Sequence, residues 1–188
     1  MMTADYRPEF EAALRMFARA SSLVTAQGFA APILVGGAAV ELFSGSALMT
    51  GDFDVSTARQ EVFESALRDL GFVKPSGPGM ATRGWIHPDL ALGFEVVSRV
   101  LLDGLADRDR VVLMSFGDDG IASIISIEDI IADRMGQFAS GTAPEMRHQA
   151  TKLLALHSNL DRAYLDRRVR EETVGDYGID DIAGPDPV

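Results

Sequence analysis

The stretch that decides the fold covers residues 34–55 and reads LVGGAAVELFSGSALMTGDFDV. A short apolar run leads into two adjacent glycines, Gly36 and Gly37, and the stretch ends with two acids one residue apart, Asp52 and Asp54. Alternate residues of a strand point to one face, so a strand over DFDV places both carboxylates together and turns its apolar residues toward the core. Because aspartate is disfavoured inside strands, the pair indicates either a functional site or a solvated edge strand.

A third acid has the same setting. Glu95 is flanked by apolar residues on a predicted strand, and it can join Asp52 and Asp54 if the two strands are neighbours. Like charges on one face repel each other, and a divalent cation offsets this repulsion. Carboxylate oxygens are hard ligands that suit Mg²⁺ or Mn²⁺, and convergent carboxylates can hold the metal pair used for nucleotidyl transfer. The alternative for Glu95 is an outward position on a half-exposed strand.

The two glycines predict a phosphate-binding turn. A strand that leads through Gly36 and Gly37 into a helix presents free backbone N–H groups at the positive end of that helix. Residues without side chains let phosphate oxygens approach the backbone closely. Thr50, two residues before the first acid, could add a hydroxyl group. A tight strand–helix turn that binds nothing is the alternative.

The periodicity of the whole chain predicts an α+β (mixed α/β) fold. The expected order is helix, strand, helix, strand, helix, several strands and then helices, with a mixed sheet flanked by helices and a C-terminal helical part. The first helix is expected over residues 8–27, and another over residues 59–71. Two short strands, GFVK and GWIH, are expected on either side of a loop rich in proline and glycine.

The sequence becomes helical after Ser126. We expect an α/β domain over residues 1–125, a helical region over 126–172 and a frayed or extended acidic tail over 173–188. Helices are predicted at 127–139, 143–157 and 160–172. Ser126 with Asp129 and Thr142 with Glu145 resemble capping boxes. Salt bridging or capping is also the predicted role of Asp129 and Arg134.

Composition limits the classes of function. The 188 residues include no cysteine, which excludes disulfides and thiolate metal sites, and the formal net charge is −11. An acidic chain makes binding to long nucleic acid unfavourable. The N-terminal sequence has no apolar run typical of a signal peptide, and no uncharged apolar run reaches the length of a membrane span. The expectation is a soluble cytoplasmic protein with no membrane partner.

The order of these motifs resembles the nucleotidyltransferase superfamily built on the DNA polymerase β-type core. That order is a glycine pair, a short helix, an Asp-x-Asp motif on a strand and an acid on a later strand. Gly36 and Gly37 match the glycine pair of that family. Asp52 and Asp54 match its metal-binding pair, and Glu95 matches its third acid.

The resemblance covers roughly residues 33–97. The Gly-Gly-x-Ala-Val opening and the segment SIEDIIADRMGQF look most like the small prokaryotic branch. That branch includes the AbiEii-type toxins of type IV toxin–antitoxin systems and related nucleotidyltransferase-like proteins.

The resemblance implies a nucleotidyltransferase-like fold and a metal-dependent enzyme. Such an enzyme transfers a nucleoside monophosphate from a nucleoside triphosphate to an acceptor, here an unidentified protein, RNA end or small molecule, with Mg²⁺ or Mn²⁺ as cofactor. A toxin–antitoxin role is also implied, with an antitoxin or a second copy of the chain on the C-terminal helices. The alternatives are a catalytically silent binding or regulatory module and an aminoglycoside-modifying nucleotidyltransferase.

Three positions depart from the family pattern. Glu95 stands where many members have Asp, Ala38 replaces a hydroxyl residue, and Leu48-Met49 occupies the region where many members carry a basic residue. Glutamate is tolerable as a metal ligand, whereas the missing basic residue near Asp52 favours the silent module. The charge of a triphosphate would then need basic residues elsewhere, for which the candidates are Lys74, Arg83, Arg99 and Arg134. Lys74 and Arg83 are the predicted nucleotide-binding residues among them.

Overall fold

The computed structural model of the protein describes residues 6–76, 84–90 and 92–183. It confirms the α+β class, with a mixed sheet and flanking helices. The chain forms two compact units. The first comprises Met1–Leu101 and Arg108–Ile125, as far as these are described, and the second comprises Leu102–Asp107 and Ser126–Val188, with the same limit.

The first unit contains a six-stranded sheet. Its helices are α1 (Pro8–Ala26), α2 (Gly36–Ser44) and α3 (Gln60–Asp69). Its strands are β1 (Ile33–Val35), β2 (Asp52–Ser56), β3 (Trp85–Ile86), β4 (Gly93–Ser98), β5 (Val112–Ser115) and β6 (Ile121–Ile124). The strand order is β3-β4-β2-β1-β6-β5, with β2 parallel to β4 and antiparallel to β1. The strand that carries the aspartate pair therefore lies inside the sheet, so the edge-strand alternative is wrong.

One face of this sheet carries an aromatic core. The ring of Phe53 on β2 lies 5.3 Å from that of Phe10 on α1 and 4.8 Å from that of Phe94 on β4. Phe72 approaches Phe94 edge-on at 4.9 Å, a favoured geometry for aromatic pairs. Because neighbouring residues of a strand point to opposite faces, the acids of β2 and β4 lie on the face away from these rings.

Two expected elements of the first unit differ in the structure. The segment GFVK forms only an isolated bridge at Val73, which pairs with Ile86. Helix α2 begins at Gly36 itself, with Val35 as its N-cap, so both glycines belong to its first turn. The loop between the two short strands lies largely outside the described residues. The long first helix is confirmed almost to the residue.

The second unit contains the three helices that the C-terminal periodicity predicts: α4 (Ile127–Ala139), α5 (Glu145–Leu156) and α6 (Arg162–Glu172). It also contains a short helix that was not predicted, α7 (Ile179–Ile182). Ser126 caps α4, because its Oγ accepts a hydrogen bond from the Asp129 N–H at 3.1 Å. The predicted Thr142–Glu145 capping box is wrong. Helix α5 begins at Glu145 after Pro144, and no side chain caps it.

A buried ion pair joins α4 to α6, and a second pair lies within α4. The Asp129 carboxylate is fully buried; it accepts from Arg168 Nε at 2.7 Å and from the Tyr164 hydroxyl at 3.0 Å. Arg134 Nη2 lies 3.4 Å from a carboxylate oxygen of Asp133. These contacts confirm the predicted salt-bridging or capping roles of Asp129 and Arg134.

Much of the acidic tail is packed within the second unit. Ile182 of α7 is fully buried, and its carbonyl accepts from the Thr151 hydroxyl at 2.7 Å. Arg147 Nη2 donates to the Asp181 carbonyl at 2.7 Å. The expectation of a frayed or extended tail is therefore wrong as far as residue 183. In the described part of the chain, no helix combines the length and the apolar character of a membrane span.

Candidate functional site

The register of the sheet brings the three predicted acids onto one face. In the parallel pairing of β2 with β4, Asp54 lies beside Glu95 and Asp52 lies beside Gly93. Residues paired in this way point to the same face and sit about 4.8 Å apart across the strands. Asp52 is exposed, whereas Asp54 and Glu95 are half-buried. The sheet therefore presents two neighbouring carboxylates, with a third one pleat further along β2.

The glycine pair lies against this face. Gly36 has a φ of +61°, a left-handed conformation that favours glycine, and a methyl group added there would overlap the Asp54 carboxylate. A methyl group at Gly37 would lie only 2.5 Å from the Thr50 hydroxyl oxygen. The strand pairing is consistent with this arrangement, because Val35, immediately before the glycines, pairs with Asp54. The turn into α2 and the acidic strand are thus in direct contact.

Thr50 connects the glycine turn to the first acid. Its hydroxyl donates to the Asp52 carbonyl at 3.1 Å and lies 3.4 Å from the Asp52 carboxylate oxygen Oδ1. The same hydroxyl faces Gly37. The structure therefore places six of the eight site residues predicted from the sequence on or against one face of the sheet: the glycine pair, Thr50 and the three acids.

Sequence patterns missed a buried acid beside this cluster. Glu41 belongs to α2, and its side chain has no exposed area. Its carboxylate accepts from Arg7 Nε at 2.7 Å and Arg7 Nη2 at 2.9 Å, from the Thr50 N–H at 2.7 Å and from the Ser46 hydroxyl at 2.9 Å. The only sequence signal was a charged residue within the apolar run AAVELF.

These contacts set the charge state of Glu41. Burial alone would raise its pKa, but the hydrogen bonds from Arg7, the Thr50 N–H and Ser46 outweigh burial and hold the pKa below its ordinary value. Glu41 is therefore a carboxylate at neutral pH, paired with the Arg7 guanidinium.

Of the two basic residues predicted to bind the nucleotide, the structure describes only Lys74, and its contacts lie away from the acids. The Lys74 ammonium lies 3.9 Å from the Glu64 carboxylate and 5.9 Å from the centre of the Trp85 ring. Neither contact joins Lys74 to the acidic face, because Trp85 pairs with Phe94 on the opposite face of the sheet. Arg83 lies outside the described residues. Arg134 is buried among helices of the second unit.

The carboxylates supply the right atoms for a divalent cation, but they are not gathered into a ready metal site. Among the described residues, no three His, Cys, Asp or Glu side chains form a group that could hold a metal ion. Asp54 and Glu95 are register neighbours on the paired strands β2 and β4. The three-carboxylate metal site stays a prediction.

Chemically, the cluster offers oxygen ligands for a hard cation beside a glycine-lined helix start, a combination suited to a phosphate ester with its counter-ion. Comparison with known proteins gives no independent assignment. No family model matches the chain, and no curated protein matches it.

Proposed function

We propose that the protein is a metal-dependent nucleotidyltransferase. One observation carries the proposal: the sheet pairs Asp54 with Glu95, and the left-handed turn at Gly36 lies directly against Asp54. A phosphate-binding turn and a metal-binding strand need this contact, because the triphosphate must reach both at once. Asp52, one pleat along the same face, is the third proposed ligand.

The proposed reaction is transfer of a nucleoside monophosphate. An acceptor hydroxyl oxygen forms a bond to the α-phosphorus, and the bond from that phosphorus to the bridging oxygen of the β-phosphate breaks. Pyrophosphate leaves with the electron pair, and the hydroxyl proton passes to water or to a carboxylate. A bound Mg²⁺ or Mn²⁺ would neutralise charge on the phosphates. The backbone N–H groups at Gly36 and Gly37 would orient the β- and γ-phosphates.

A catalytically silent module is the second candidate. Two observations favour it. Among the described residues no three acids form a group that could hold a metal ion, and Lys74 lies away from the acids. Such a module would bind a nucleotide or a partner without transferring phosphate. An antitoxin or a second copy of the chain on the helices of the second unit is a proposed partner in either case.

Label transfer from α-³²P-labelled nucleoside triphosphates into a cell lysate distinguishes the two. We expect transfer with Mg²⁺ or Mn²⁺ by the wild type, and at least a 100-fold loss in Asp54→Asn and in Glu95→Gln, the size expected when charge stabilisation in a transition state is removed. Glu61→Gln, an exposed acid on α3, is the matched control and should keep full activity.

Two outcomes would contradict the proposed enzymatic activity. Label transfer that survives Asp54→Asn and Glu95→Gln would show that another site or a contaminant is responsible. Nucleotide binding without any transfer, measured as a thermal shift with Mn²⁺, would favour the silent module.

A further inference from the structure

Thr50 is held at both of its backbone polar groups by one ion pair. Its N–H donates to Glu41 Oε2 at 2.7 Å, and its carbonyl accepts from Arg7 Nη2 at 2.6 Å. Arg7 and Glu41 are bonded to each other through two nitrogen–oxygen contacts of 2.7 and 2.9 Å. Such two-pronged pairs fix orientation as well as distance.

The loop between α2 and β2 is tied to the same carboxylate at a second point. The Ser46 hydroxyl donates to Glu41 Oε1 at 2.9 Å. The Ser44 hydroxyl accepts from the Leu48 N–H at 3.1 Å, which closes the loop on α2. The loop therefore has a defined path from the helix that starts at the glycines to the strand that carries the acids.

Thr50 contacts both the acidic strand and the glycine turn of the candidate site. The Thr50 hydroxyl bonds the Asp52 carbonyl at 3.1 Å and faces Gly37. A shift of Thr50 would therefore move Asp52 and open the packing of the loop on the glycine turn. Residues that hold metal ligands in position, without binding the metal themselves, commonly change metal affinity 10–100-fold when they are mutated.

We infer that Arg7 and Glu41 are positioning residues of the candidate site, which clamp Thr50 and thereby fix Asp52 relative to the glycine turn. The inference rests on the proposed function for its link to metal and nucleotide. It places the N-terminal segment, through Arg7, in the support of the site, although Arg7 precedes the acids by more than forty residues.

The test compares Glu41→Gln with a matched ion-pair variant, Asp119→Asn. Asp119 belongs to the same unit and also pairs with arginines of the N-terminal part, Arg15 and Arg19, but it holds no residue of the site. Hydrogen exchange of the Thr50 amide reports the clamp itself, and binding of Mn²⁺ alone, measured by electron paramagnetic resonance, reports the site. Arg7→Lys is the second variant, because lysine keeps the charge but cannot bond both Glu41 oxygens and the Thr50 carbonyl in the same geometry.

In Glu41→Gln we expect Thr50 exchange at least tenfold faster and Mn²⁺ affinity about tenfold weaker, with the circular dichroism spectrum unchanged. Arg7→Lys should show the same changes to a smaller extent, and Asp119→Asn should show neither. Wild-type exchange at Thr50 in both Glu41→Gln and Arg7→Lys would overturn the inference, as would equal effects in Asp119→Asn. Failure of the wild type to bind Mn²⁺ would overturn the proposed function, and the exchange measurement would then decide the clamp alone.

Discussion

At Gly36 the missing side chain is what allows the turn to lie against Asp54. The residue has a positive φ, and a methyl group there would overlap the Asp54 carboxylate. Gly45 is a matched comparison: its φ is +59°, but open space surrounds the position of an added methyl group. The two glycines therefore separate the cost of backbone conformation from the cost of the contact.

We predict that Gly36→Ala is more destabilising than Gly45→Ala. The left-handed conformation alone costs about 1–2 kcal/mol, and overlap at Gly36 should add roughly 1–3 kcal/mol, as overpacking does elsewhere. Urea unfolding of both variants measures the difference. Equal losses of unfolding free energy would show that Asp54 moves away without cost, and that the contact is not needed.

Glu41 gives a prediction on pH. Hydrogen bonds hold the pKa of the folded carboxyl below the ordinary value of 4.5, which the unfolded chain regains. The stabilisation from ionised Glu41 is therefore fully present above about pH 4.5 and is lost as the pH falls through the lower, folded value. Glu41→Gln lacks this titration.

We therefore expect the wild type to exceed Glu41→Gln in unfolding free energy by roughly 1–3 kcal/mol at pH 7, and the gap to narrow below about pH 4.5. Urea titrations from pH 7 to pH 3 check this. Glu61→Gln, an exposed change, should give a gap near zero throughout. A gap that widens toward low pH would mean that Glu41 is protonated in the folded state.

At the scale of elements, one arginine ties α6 to α4. Arg168 has no exposed side-chain area; it bonds Asp129 on α4 at 2.7 Å, and also Glu171 and Glu172 of its own helix at 2.7 and 2.5 Å. Burial raises the pKa of Glu172, with Arg168 opposing the rise. Gly136 lets the helices approach closely, since a methyl group there would lie 3.1 Å from the Glu172 carbonyl.

Removing this arginine should be costly. Arg168→Met leaves the Asp129 carboxylate buried without a cation, which typically costs 3–5 kcal/mol. Arg167→Met is the matched control: that side chain is 58% exposed, and its pair with Glu171 should contribute about 0.5 kcal/mol or less. Hydrogen exchange of the α4 and α6 amides measures both, because the single tryptophan, Trp85, reports only on the first unit. Similar exchange in the two variants would contradict a stabilising role for the buried pair.

Local sequence patterns predicted the helices and strands better than they predicted contacts between residues far apart in the sequence. Helical and strand periods depend on neighbouring residues, so α1 and α4 could be placed from the sequence. Glu41 could not, because its partner Arg7 is 34 residues away and only folding brings the two together. The prediction for the tail was wrong for a similar reason. Its acids predict exposure to solvent, whereas its burial depends on Ile182, whose carbonyl accepts from the Thr151 hydroxyl on α5.

The neighbouring positions of Asp54 and Glu95 are an intermediate case. Alternation along each strand predicted which face each acid would take. Whether the two strands are adjacent depends on the whole sheet. From the sequence, the grouping of the acids could therefore be predicted only on the condition that the strands are neighbours. The pairing of β2 with β4 meets that condition. The arrangement of the carboxylates around a metal depends also on the ion itself, so the three-carboxylate metal site stays a prediction.

At the scale of the whole molecule, charge limits the kind of ligand. The chain has 28 acidic and 17 basic residues. Several arginines of the described helices are already paired with carboxylates, among them Arg15 and Arg19 with Asp119, and Arg170 with Asp166. Nucleic acid binds non-specifically through cations that replace its counter-ions. A metal–nucleotide complex carries its own cations and does not need this surface.

We therefore predict that the protein binds a nucleoside triphosphate with Mn²⁺ but not long RNA. A fluorescently labelled RNA duplex of transfer-RNA size should show no anisotropy change up to about 10 µM protein, which is in the middle of the ordinary range of non-specific dissociation constants, whether the salt is low or physiological. The triphosphate with Mn²⁺, titrated in the same buffers, is the positive control. Saturable RNA binding that weakens steeply with salt would contradict the prediction, because that slope counts phosphates neutralised by lysine and arginine. It would also move the acceptor from a protein or small molecule toward an RNA end, since a basic surface able to hold RNA would then have to exist.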